Sequence, residues 1–329
     1  MWIPKAYPVA VLMMLASMLC WGSWDNTQKI DKDWRFELFY WDYMWGVLAS
    51  ALLFGLTLGR THPAAHDSFL YNLAHASARS WVEAFAGGVI FNFGNLLLVA
   101  AISVAGMAVA FPVGSGLALV IGGILNYIIR PAGNPLFLFG GILLISGAIF
   151  ADALAYHGLS KGKTTGKKGI VLSLLCGVIL GLFYPLVAKA MSGRHHLGPY
   201  AVYFVFALGA LVSNFPFNYG FMRHPIAGAP LSIRQYFRGR DQQHGWGVLG
   251  GLIWGVGAIC SFVVSSVSIV GPAASFSMSE GNTMISAIWG VFVWKEFSGA
   301  GGSVKRLLGL MFLLFVLGLV SIALAPVIR

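Results

Sequence analysis

Residues 87–95 read Gly-Gly-Val-Ile-Phe-Asn-Phe-Gly-Asn, and 163 positions further on residues 250–257 read Gly-Gly-Leu-Ile-Trp-Gly-Val-Gly. Gly87, Gly88, Ile90 and Gly94 thereby find counterparts in Gly250, Gly251, Ile253 and Gly257. A shift of 165 pairs Gly106, Ala108, Phe111 and Gly116 with Gly271, Ala273, Phe276 and Gly281. Self-similarity at a fixed offset of half the chain marks an internal duplication. Each matched stretch lies in an apolar run long enough to span a bilayer, which takes about 20 helical residues at 1.5 Å each.

Working outward from these stretches, ten such runs are predicted. They are Tyr7 to Ser23, Asp42 to Gly59, Ser80 to Ser103, Met107 to Ile129, Leu136 to Tyr156, Gly169 to Met191, Tyr200 to Phe221, Gly247 to Ser268, Pro272 to Trp294 and Leu307 to Val327. The expected fold is an all-α polytopic membrane protein with one five-helix repeat over 1–156, a cytoplasmic linker over 157–168 and a second repeat over 169–329. A repeat with an odd number of spans enters the membrane in the opposite sense the second time, the inverted symmetry of many secondary transporters.

The composition agrees: 58% of the 329 residues are hydrophobic and 10% charged, too little polar surface for a soluble globule. The 42 glycines suit helices packed closely in lipid. Lys5 before an apolar run imitates a signal peptide, but no small-residue cleavage site follows, so the segment reads as the first span. Cys20, Cys176 and Cys260 sit in apolar segments without metal-ligand spacing and read as core residues. No metal or other cofactor is expected.

Of the 21 Lys and Arg residues, seven fall on the side of both termini and fourteen on the other, including Lys29, Lys161, Arg234, Lys295 and Lys305. The positive-inside rule places the termini outside the cytoplasm of a cell (inner) membrane and the linker within it. The net charge of +10 is then a signature of cytoplasmic loops, and no nucleic acid need be invoked. Gly158, Lys161, Gly162, Lys163 and Thr164 imitate a P-loop, but the first glycine is one residue too close and no strand precedes it. An ATPase is rejected.

Glu280, eight residues after Pro272, falls about 12 Å along the ninth helix at 1.5 Å per residue, near the midplane. A charge there costs on the order of 3 kcal/mol, so a lone acid is expected to take up a proton or to face a wet cavity. That is the minimum equipment for proton-coupled transport; a protonated, structural Glu is the competing reading. Asn282 and Thr283 lie beside it, and the repeat places Ser115 opposite. Pro112 and Gly114, just before Ser115, predict a kink in the fourth helix.

Asn92 and Asn95 are three residues apart and share a helix face able to read a neutral polar solute, or to glue helices together. Trp21, Trp24 and Trp254 are candidates to sandwich a planar or sugar ring, against the alternative of interfacial belts. Asp25, Asp42, Glu83 and Asp152 read as helix-end acids, with Asp25 and Asp42 as secondary site candidates. His62, His66, Asp67 and His75 lack metal spacing and read as solvated surface.

Trp21-Gly22-Ser23 with Lys29 resembles the W-G-S…K signature of the drug/metabolite transporter superfamily, although Asp25, Asn26, Thr27 and Gln28 stand where that family is usually apolar. Within it the chain is most similar to the ureide permease group, with the L-rhamnose/proton symporter and other sugar porters as more distant likenesses. Asp42-Tyr43, Gly94-Asn95, Gly116-Leu117-Ala118, Leu125-Asn126-Tyr127, Gly245-Trp246 and Trp289-Gly290 through Lys295-Glu296 carry the likeness. It implies proton-linked import of a small neutral solute, such as an allantoin-like ureide, a nucleobase or a sugar. Glu280 is carried by the buried-charge argument and not by the resemblance. A multidrug or metabolite exporter is the alternative within the architecture. An enzyme or receptor would need an interfacial acid, His or Cys cluster or a ligand-binding domain, and neither is visible. The expected partners are the solute, the proton and the lipid bilayer, with a homodimer left open.

Overall fold

The computed structural model describes residues 1–31, 33–60, 68–105, 107–159, 167–225 and 228–328. His62, His66, Asp67 and most of the linker therefore lie outside the described residues; His75 is exposed and stacks on Tyr71. The described chain is helical: α1 (Tyr7–Trp21), α2 (Asn26–Ile30), α3 (Phe36–Leu56), α4 (Phe69–His75), α5 (Ala78–Ala105), α6 (Met107–Ile129), α7 (Pro135–Leu159), α8 (Lys167–Ala190), α9 (Pro199–Arg223), α10 (Ile233–Tyr236), α11 (Asp241–Ser266), α12 (Gly271–Ser279), α13 (Asn282–Ile288) and α14 (Gly302–Leu324).

Eight helical segments among the described residues are long and apolar enough to cross a membrane. Leu136, Leu143 and Phe150 on α7 and Phe292 after α13 are exposed apolar side chains, a surface suited to acyl chains. Two further apolar segments differ from those eight. α6 runs unbroken through Pro112 and Gly114, and the interruption falls in its counterpart instead. There α12 stops at Ser279, α13 resumes at Asn282, and a π-helical turn, Trp289–Val293, closes the segment. Around the break the usual i−4 bonds give way to i−3 bonds, from Gly281 N to Met278 O and from Met284 N to Gly281 O.

Two acids depart from the helix-end reading. α3 begins at Phe36, six residues before the expected Asp42, because Glu37 is paired with Arg35 and Asp42 is hydrogen-bonded, which removes the cost of carrying both inside the helix. Asp152 lies well inside α7 and is buried.

Helix packing is close and ordered in pairs. A Cβ on Gly251 would lie 2.0 Å from the Tyr43 carbonyl oxygen, and one on Gly88 would lie 1.9 Å from that of Phe206. Likewise a Cβ on Gly46 would meet Val248 O at 2.2 Å, and one on Gly209 would meet Phe85 O at 2.2 Å. Each residue of the α3–α11 contact is 163 positions from its equivalent in the α5–α9 contact. The neighbour relations follow the same exchange: α5–α8 corresponds to α11–α1, α6–α8 to α12–α1, and α6–α7 to α12–α14. Along α3 and α11 the contacts run Asp42 to Gly247, Gly46 to Gly251 and Ser50 to Gly255, so these two helices are parallel.

Candidate functional site

A cavity of about 380 Å³ lies among α1, α2, α5, α6, α8, α11 and the broken α12–α13 segment. It extends from Ser115, Trp254 and Glu280 in the middle of the bundle to Lys29, Phe36 and Ile102 at helix ends. Toward the other side the space is filled by buried hydroxyls. Ser17 donates to Ser279 at 3.0 Å, Ser279 to Ser261 at 3.1 Å, and Tyr184 lies 2.8 Å from Ser261.

The break in the ninth segment positions Glu280. It caps the C-terminal end of α12, lines the cavity, and is 9% exposed. Among the described residues its carboxyl group has no hydrogen-bond or ion-pair partner, so its needs fall on whatever occupies the cavity. Asn95, which lines the cavity, donates through Nδ2 to the Tyr40 hydroxyl at 3.0 Å, and among the described residues its carbonyl oxygen has no partner. Ser115 and Asn282 complete a polar set able both to donate and to accept. This set faces an aromatic wall of Trp21, Trp24, Phe91, Phe183 and Trp254.

The Trp21 and Trp254 rings stack on one another, so a planar solute would lie against the pair and not between its members. Asp25 also lines the cavity, with Gln28 and Lys29. Three candidates stand elsewhere. Asn92 is fully buried and donates to Ser213 on α9 at 2.9 Å, away from Asn95. Thr283 turns back to the Glu280 carbonyl at 3.4 Å. Asp42 accepts from the Tyr236 hydroxyl at 2.6 Å and pairs with His244 Nδ1 at 2.8 Å, outside the cavity. Burial, and then the Asp42 carboxylate, raise the Tyr236 hydroxyl above its usual range, so it stays a donor.

The Trp21-Gly22-Ser23 stretch acquires a physical role here. Trp21 Nε1 donates to the Trp254 carbonyl at 3.2 Å, and a Cβ on Gly22 would strike Asn282 O at 2.4 Å. Trp289 Nε1 donates to Ser23 at 2.9 Å, and Trp294 Nε1 to Asn26 Oδ1 at 2.6 Å. The motif therefore seats the end of α1 against the broken segment. Phe91 and Phe183 escaped sequence reasoning because a phenylalanine in an apolar span carries no polar signal.

Comparison with known proteins follows the same lines. A family model described as Ureide permease matches residues 39–161 and 159–325. Ureide permease 1 of Arabidopsis thaliana is 24% identical, covering 93% of this chain and 94% of that protein. The glucose uptake protein GlcU of Bacillus subtilis (strain 168) is 26% identical, covering 67% of this chain and 71% of that one. A solved crystal structure shares the fold at a TM-score of 0.63 and 14% identity, over 96% of this chain and 98% of its own. Matched by the family model over most of its length, the chain belongs to the ureide permease family.

Proposed function

We propose that this membrane transporter is a proton-coupled symporter that takes up a small neutral polar solute, a ureide such as allantoin or a nucleobase, by alternating access. The carrying observation is Glu280, its carboxyl group unpartnered among the described residues, in a cavity that Asn95, Ser115 and Asn282 line together with an aromatic wall. A neutral solute with both donors and acceptors satisfies the amides and the hydroxyl, while Glu280 exchanges a proton with whichever side the cavity faces. The relatedness to a protein named for ureide transport supports the substrate class.

Two inverted five-helix repeats provide the alternation. Support comes from the equivalent glycine contacts and from the parallel course of α3 and α11. Consecutive spans such as α3 and α5 run oppositely, so α5 and its counterpart α11 run oppositely too. The positive-inside rule assigns the Lys29 side to the cytoplasm, which makes this an inward-facing shape with Ser17, Tyr184, Ser261 and Ser279 closing the outer side.

Sugar symport is the second reading, favoured by the likeness to a glucose uptake protein. Uptake into proteoliposomes of labelled allantoin, uracil and glucose, with and without an inward proton gradient, decides between them. Gradient-driven accumulation of allantoin or uracil is expected. Accumulation of glucose alone selects the sugar reading, and solute export selects a metabolite exporter.

A further inference from the structure

A second group of ionisable side chains stands at the Lys29 mouth, apart from Glu280. Lys29 Nζ lies 3.6 Å from Glu296 Oε1, and the Tyr156 hydroxyl donates to Glu296 Oε2 at 2.7 Å. Asp152 precedes Tyr156 by four residues on α7, which puts both on one helix face. Asp152 thus stands one helical turn from a chain that runs from Tyr156 through Glu296 to the Lys29 ammonium.

Asp152 is 4% exposed, and its Oδ1 has no hydrogen-bond partner among the described residues. A buried carboxylate oxygen left in that state is costly, whereas a carboxylic acid is tolerated. Among the described residues, the neighbouring elements offer no other buried cation. α6 and α13 carry no charged residue, while Lys295, Lys305, Arg306 and His157 are all exposed. Nor do the described residues hold a cluster suited to a metal ion.

We propose that Asp152, one helical turn from the Tyr156–Glu296–Lys29 chain, is a second proton-binding site beside the Lys29 end of the cavity. A proton from water at the mouth forms an O–H bond at Oδ1 while Lys29 is engaged by Glu296. When Lys29 turns from Glu296 to Asp152, that bond breaks, the proton returns to water, and the ammonium balances the new carboxylate. No electrons change hands. The site rests on the proton-coupled reading and adds a station at which protons meet the cytoplasmic side.

The test uses the full chain in proteoliposomes supplied with the allantoin, uracil and glucose mixture, reading labelled-solute exchange and proton entry by an enclosed pH dye. Asp152→Asn is expected to lower gradient-driven uptake at least about fivefold. It should also remove one titration step from the pH profile of exchange, while exchange at its optimum persists as evidence of folding. Asp152→Glu should restore the step. An unchanged pH profile in Asp152→Asn overturns the site, as does equal loss of exchange in both variants. Wild-type uptake driven by sodium and not by protons, and lost in Asp152→Asn, also overturns it in favour of a sodium site. Wild type that shows no proton entry and no gradient-driven uptake defeats the underlying transport reading itself, a result distinct from the others.

Discussion

The indole rings of Trp21 and Trp254 lie 5.6 Å apart and within 11° of parallel, joining the end of α1 to the middle of α11. This pair forms part of the cavity's aromatic wall, against which the proposed solute would rest. Stacking contributes about 0.5–1.5 kcal/mol beyond simple burial, so Trp254→Ala should raise KM for uptake by about two- to tenfold. Trp254→Phe should fall between that variant and wild type. Concentration series of labelled solute measure the effect.

On the proposed function, Glu280→Gln removes the exchangeable proton while keeping the shape of the side chain. Accumulation against a gradient should vanish, solute exchange should persist, and exchange should lose its dependence on pH. Concentrative uptake equal to wild type would remove Glu280 from coupling.

Much of the cavity could be read from the chain because polar side chains in apolar spans announce themselves. Asp25, Asn95, Ser115, Glu280 and Asn282, with Trp21, Trp24 and Trp254, all meet around one space. Asn92 does not, because a three-residue helical offset leaves the two amides turned to different neighbours, Ser213 and Tyr40. The start of α3 was obscured by Glu37 and Asp42, whose partners Arg35, Tyr236 and His244 are brought to them by the fold. The break at Glu280 has no proline within it, so pattern alone reads straight through.

Gly88→Ala and Gly251→Ala should destabilise the protein alike, since each methyl group would meet a carbonyl oxygen of a neighbouring helix. Forcing atoms into such contacts costs about 1–3 kcal/mol. Thermal unfolding in detergent should show matching shifts, and Gly220→Ala, where an added Cβ meets nothing within 4 Å, serves as the control.

Asp42→Asn should weaken the anchoring of Tyr236 and His244 to the end of α3 without altering recognition. Loss of charged hydrogen bonds predicts about 1–3 kcal/mol of destabilisation with KM unchanged. Stability and KM measured on the same preparation separate this effect from one on the cavity.

In a background without native cysteines, Gln28→Cys should react with a membrane-impermeant thiol reagent from the side of Lys305 and be shielded by bound solute. Ser261→Cys should stay unlabelled from either face in the shape described. Reaction of position 28 only from the side of the termini would reverse the assigned orientation.

A molecule assembled from two equivalent units has no inherent reason to favour either face, so any resting bias must come from the places where the units have diverged. Here one such difference lies where the uninterrupted α6 presents Ser115 and the broken α12–α13 presents Glu280. Glu280, to which the proposed function gives the proton, therefore also sits at a point of lost symmetry. On that proposal, ion binding and directional preference would depend on the same few residues.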